Sequence, residues 1–117
     1  MRLNEIAYTG LKPVDGYGPG FFRVAGTVHR GAVALLPSGA AGWGGYEDTA
    51  PFLAEAGGID VLFVGTGAEI APVPPAFRAA LEGAGIGVEV MASPTACRAY
   101  NVLLSAGRRI AAALIPV

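Results

Sequence analysis

The chain has 117 residues, of which 53% are hydrophobic and 15% charged, against about 25% charged in ordinary domains. Alanine, glycine and proline fill 49 positions (22, 18 and 9), and His, Cys, Trp and Lys occur once each. One Cys and one His cannot build a structural zinc site or a disulfide framework, and a net charge of −1 argues against a nucleic-acid surface.

The length fits a single domain spanning 1–117. The first six residues lack an apolar core of signal-peptide length, and no window approaches the roughly 18 apolar residues of a membrane span. The chain is therefore expected in the cytoplasm, where a lone Cys stays reduced.

In chain order, residues 3–8 read as a short edge strand and 15–20 as a turn-rich loop interrupted by Pro19. Residues 21–25 are rich in strand formers, and with residues 27–36 they predict a hairpin whose tight turn lies at Ala25 and Gly26. Residues 37–45 read as a Gly/Ala loop carrying Trp43. Asp48 and Thr49 can cap a short helix over 50–56, with Pro51 in its first turn.

Residues 61–64 form an apolar run without alternation, typical of a strand covered on both faces. Pro72, Pro74 and Pro75 delay the next helix to 76–84, where Phe77, Ala80 and Leu81 share one face. A strand over 86–91 follows. Ser93 as cap and Pro94 in the first turn predict a helix to about residue 106, and residues 110–115 give a final strand. The second half thus reads β-α-β-α-β, which favours parallel pairing, and the hairpin before it makes the sheet mixed.

Gly65-Thr66-Gly67 after a strand resembles the opening of a dinucleotide fingerprint. However, Ile70 stands where a third Gly belongs, and prolines replace the helix start. A tight turn at the C-terminal end of a strand, with a small pocket, is the alternative. Gly16, Gly18 and Gly20 precede a strand and have no following Lys, so they do not form a phosphate loop.

Cys97 lies early in the last helix, where the dipole and Arg98 would lower its pKa. It also shares a stripe with Tyr100, Asn101 and Leu104, the spacing of a buried face. A Cys–His pair would need His29 beside it. Arg98, Tyr100 and Asn101 form a polar group that could capture an anion or hydrogen-bond the backbone of a neighbouring loop. Trp43 and Tyr46 on a Gly-rich loop are either partner contacts or packing against the sheet.

Several segments together resemble one family of small α/β domains of unknown function, which includes the mitochondrial complex I assembly factor 3 and an adipogenesis-associated protein. They are residues 16–24 (Gly-Tyr-Gly-Pro-Gly-Phe-Phe-Arg-Val), 33–37 with Trp43, 60–67 (Asp-Val-Leu-Phe-Val-Gly-Thr-Gly), the Pro-rich helix entry with Arg78, 85–91, and 96–104 (Ala-Cys-Arg-Ala-Tyr-Asn-Val-Leu-Leu). Ala99 departs from the Thr usual in the family.

The resemblance implies a three-layer β+α/β/α domain around a central mixed five-stranded sheet. It also implies a closing strand, 109–115, inside that sheet and antiparallel to most of it. The family has no established catalytic activity, and its best-understood member acts by binding other proteins during assembly of a membrane-bound respiratory complex, which implies a protein partner here; no cofactor, no metal and no insertion into a membrane are expected of this chain. The oligomeric state is left open.

Three functional expectations follow. The first is a non-catalytic interaction domain with Trp43 and Tyr46 as contacts. The second is a small-ligand or anion-binding domain with its site between Gly65, Thr66, Gly67 and the start of the last helix at Cys97, Arg98, Tyr100 and Asn101, together with Arg78. The third is a thiol activity at Cys97.

Overall fold

A computed structural model describes residues 12–117. The strand expected over 3–8 lies outside the described residues. Two sheets form. The smaller is an antiparallel three-stranded sheet of β1 (Val14–Gly18), β2 (Phe21–Val24) and β3 (Thr27–Arg30), in that order. The larger contains β4 (Val33–Leu36), β5 (Gly39–Gly42), β6 (Val61–Thr66), β7 (Gly87–Met91) and β8 (Ile110–Ile115), in the order β5-β4-β8-β6-β7. Three helices complete the fold: α1 (Ala50–Ala54), α2 (Pro75–Gly83) and α3 (Ser93–Ser105).

The hairpin turn falls where the sequence places it. Val24 pairs with Thr27 across Ala25 and Gly26, whose φ angles are +46° and +85°. Two positive φ values define the tight turn that matches the twist of paired strands.

Elsewhere the chain is cut more finely than the sequence predicts. The loop expected over 15–20 is mostly strand: residues 14–18 pair with β2, with a bulge between Val14 and Gly16, and Pro19 falls just past the strand's end. The strand expected over 27–36 breaks at Gly31 (φ +82°), so β3 joins the small sheet and β4 the large one. The loop expected over 37–45 contains β5, an antiparallel edge whose Gly and Ala residues carry no strand signal.

The first helix stops at Ala54, and residues 56–58 continue as a 3-10 turn. Thr49 stands at its N-cap position without a side-chain cap bond, while the Asp48 carboxylate accepts the Gly44 N–H.

The closing strand corrects the expectation taken from the resemblance. β8 is antiparallel to β4 alone and runs parallel to β6, which is parallel to β7. The β-α-β-α-β pattern read from the chain therefore describes the sheet's second half correctly. β8 lies at the centre of the sheet and its residues 110–114 are fully covered, as its unbroken apolar run requires.

Alternate residues of the central strands feed two cores. Val33, Leu35, Phe63, Ala112 and Leu114 face the small sheet's Phe22 and Val24 and the α3 residues Ala96, Cys97, Tyr100 and Leu104. Ala34, Leu62, Val64, Ala111 and Ala113 face Phe52 of α1, Phe77 and Leu81 of α2, and Trp43. The architecture is thus β+α/β/α around a mixed five-stranded sheet.

Candidate functional site

β6 ends at Thr66, and the helix that returns across the sheet begins at Ser93. The sequence reads Ser93 as a helix cap, but it is the first helical residue and its side chain makes no cap bond. Its fully buried hydroxyl instead accepts the Gly67 N–H at 2.9 Å and donates to the Ile115 carbonyl. Its own N–H donates to the Gly67 carbonyl at 2.8 Å. One hydroxyl therefore ties the end of β6, the end of β8 and the start of α3 together.

The fit is close. A Cβ at Gly65 would stand 2.7 Å from Ser93 Oγ and 2.8 Å from its Cα, so the strand tolerates no side chain there. A ligand between the Gly65-Thr66-Gly67 turn and the helix start would have to displace Ser93. Thr66 serves the next loop: its single hydroxyl hydrogen is directed to the Glu69 carbonyl (2.8 Å) and shared with the more distant Met91 carbonyl (3.3 Å), and its Oγ1 accepts the Ala71 N–H at 3.0 Å.

On α3 the polar group divides. Cys97 and Tyr100 are buried in the core. Burial pushes the Cys97 thiol up to about 11, outweighing the nearby Arg98 charge, and Tyr100 up to about 12. The thiol activation expected from the helix dipole is thus reversed by desolvation, and the thiol is protonated at neutral pH. No hydrogen bond joins His29 to Cys97 among the described residues.

Asn101 binds Val14 at both ends of its amide, accepting its N–H at 2.9 Å and donating to its carbonyl at 2.8 Å. This pins the small sheet to α3, a structural use of backbone hydrogen bonding on a different partner from the loop the sequence suggested. Arg98 is exposed and reaches Thr95 Oγ1 at 3.4 Å.

Arg78 lies across the sheet from this group, on α2. Its Nη1 donates to the Val88 carbonyl at 3.2 Å and meets Glu82 at 3.3 Å. Cys97, Tyr100 and Asn101 share one side of the sheet, and Arg78 does not belong to their group.

Trp43 is buried, with Nε1 donating to the Asp48 carbonyl at 2.9 Å. Its ring packs edge-on against Tyr46 and Phe52, and Tyr46 packs edge-on against Phe77 at 5.1 Å. Tyr46 is the half-exposed member, and burial raises its pKa.

Two grooves flank the Pro-rich entry to α2. One, of about 480 Å³, is lined by Ile70, Pro72, Val73, Arg78 and Val90. The other, also about 480 Å³, lies between Tyr46, Pro74 and Phe77. Ile70, which the sequence marks only as standing where a third Gly belongs, is 67% exposed; the signal for a surface role is a large aliphatic residue stranded between a Glu and a Pro-rich run. Among the described residues no helix is long and apolar enough to cross a membrane.

Comparison with known proteins places the chain in a family. The chain belongs to the family described as protein of unknown function (DUF498/DUF598), whose profile covers residues 14–115. An uncharacterized protein of Rhodobacter capsulatus is 47% identical over 117 residues, covering all of this chain and 94% of that protein. The bovine NADH dehydrogenase [ubiquinone] 1 alpha subcomplex assembly factor 3 is 36% identical over 110 residues, covering 88% of this chain but only 60% of that protein. The crystal structure of a protein described as an outer membrane protein from Bartonella henselae superposes with a TM-score of 0.84 at 38% identity, over 91% of this chain and 95% of that one.

Proposed function

We propose that this member of the DUF498/DUF598 family is a non-catalytic protein-interaction domain that assists assembly of a membrane-bound respiratory complex. The observation that carries the reading is the 36% identity, over 88% of the chain, to a relative named as a complex I assembly factor. The chain spans about 60% of that relative's length, so the shared domain is the part to which the role is assigned.

The chemistry of the polar residues agrees. Ser93 and Asn101 spend their hydrogen bonds on the fold, and burial silences the thiol of Cys97. What remains for function is surface: the half-exposed Tyr46, the exposed Ile70 and the grooves beside them. We place the domain in the cytoplasm, where its free thiol stays reduced, with a protein of the complex as its partner.

Affinity capture of the tagged chain under mild cross-linking tests this. Enrichment of respiratory-complex subunits over an untagged control supports the reading, and their absence overturns it.

A further inference from the structure

β7 is the last strand of the large sheet, and its backbone shows which of its groups are spoken for. The Gly87 N–H donates to the Asp60 carbonyl, and the Met91 carbonyl accepts from Thr66 Oγ1; both partners lie on or next to β6. The Val88 carbonyl instead accepts from Arg78 on α2. Backbone groups of successive strand residues point to opposite sides, so odd residues of β7 face β6 and even residues face outward. Among the described residues nothing pairs with this edge, which offers the Val88 N–H and both the N–H and carbonyl of Val90, while Arg78 covers the Val88 carbonyl.

We propose that this edge is where a protein partner docks, by adding an extended segment with apolar–basic–apolar alternation to β7. The inference rests on the interaction-domain reading and gives it a surface.

Three features select that occupant. Strand addition to an exposed edge takes affinity from backbone hydrogen bonds and specificity from alternate side chains. The groove of about 480 Å³ begins at Val90 and runs to Ile70 and Val73, so it receives apolar side chains on that face of the added strand. Glu89 is exposed on the opposite face, where a basic residue directly across is favourable and an acidic one is not.

The same charge rule disfavours a second copy of this chain. Two-fold pairing that engages both Val88 and Val90 sets Glu89 opposite its own counterpart. The other edge of the sheet, β5, is Gly-Ala-Ala-Gly and has no side chain with which to discriminate.

The test uses the ¹⁵N-labelled full chain and the peptide acetyl-Thr-Val-Lys-Val-Thr-amide, with a Glu-centred peptide as control. The Lys peptide should slow hydrogen exchange at the Val88 and Val90 amides and bind about fivefold tighter than the Glu peptide. Val90→Pro, which removes an N–H that β6 does not use, should abolish the binding. Glu89→Lys should reverse the peptide preference.

Unchanged exchange at both amides with the Lys peptide in large excess, equal binding of the two peptides, or an unreversed preference in Glu89→Lys would overturn the proposal. Capture of complex subunits that persists undiminished in Val90→Pro would remove this surface while leaving the assembly reading standing. No capture by the unaltered chain would remove the assembly reading instead.

Discussion

Replacing Ser93 by Ala isolates the contribution of one hydroxyl. The side chain is fully buried, and its backbone bond to Gly67 survives the change. Two partners are lost. The Gly67 N–H lies in a buried turn and is left without an acceptor, at a cost of about 1–3 kcal/mol. The Ile115 carbonyl sits at the half-buried end of β8, where water can reach it, so its loss is nearer the lower end, about 1 kcal/mol. The expected destabilisation is about 2–4 kcal/mol, a large share of the roughly 5–15 kcal/mol that holds a domain together. In a chain of this size that lowers the thermal midpoint by about 8–15 °C. Urea unfolding followed by Trp43 fluorescence gives the free energy directly, with an unchanged slope showing that the unfolding reaction is the same. A loss below about 0.5 kcal/mol would refute the bridging role, because it would mean that neither partner depends on the hydroxyl.

Asn101→Ala should cost about 1–3 kcal/mol by orphaning both backbone groups of Val14, and urea unfolding should show it together with faster hydrogen exchange in β1 and β2 than in β6. Cys97 should react with a small alkylating reagent at pH 8 about 100-fold more slowly in the native protein than in the unfolded chain, since raising the thiol from 9.0 to about 11 removes most of the thiolate; rapid native labelling would contradict its burial. The Arg109 guanidinium, bonded to both carboxylate oxygens of Asp60, holds that carboxyl below its ordinary 3.8. A depressed pKa contributes stability above the unfolded value and loses it as pH falls through the folded one. Asp60→Asn should therefore lower the urea midpoint slightly near pH 7 and converge with the unaltered chain as pH falls well below 3.8, the difference staying small because the pair is exposed.

The central strands were legible because both their faces are covered: 61–64 and 110–115 read as uninterrupted apolar runs, and burial on two sides leaves no other composition open to them. The hairpin turn was legible because Ala25 and Gly26 separate two runs of strand formers. β5 was not, since Gly-Ala-Ala-Gly pairs through its backbone alone and carries no side-chain pattern. The break at Gly31 was hidden for a related reason, because residues on either side of it are equally strand-like and only the positive φ sends them to different sheets.

At the candidate site the stripe of Cys97, Tyr100, Asn101 and Leu104 announced a buried face; the structure buries Cys97, Tyr100 and Leu104 and leaves Asn101 half-buried at its margin, bonded to Val14. The role of Ser93 was masked by a better-known one: Ser before Pro is a strong helix-start signal, and nothing local shows that its hydroxyl meets Gly67 and Ile115, each more than 20 residues away. Arg78 entered the candidate group through resemblance, and only the sheet topology reveals that α2 and α3 lie on opposite faces.

The assembly role is tested most directly by the amount of intact respiratory complex in cells lacking this chain, measured on native gels of their membranes. The account predicts a reduced amount of assembled complex, restored by the unaltered chain and equally by Cys97→Ala. Assembled complex at the level of unmodified cells would contradict it.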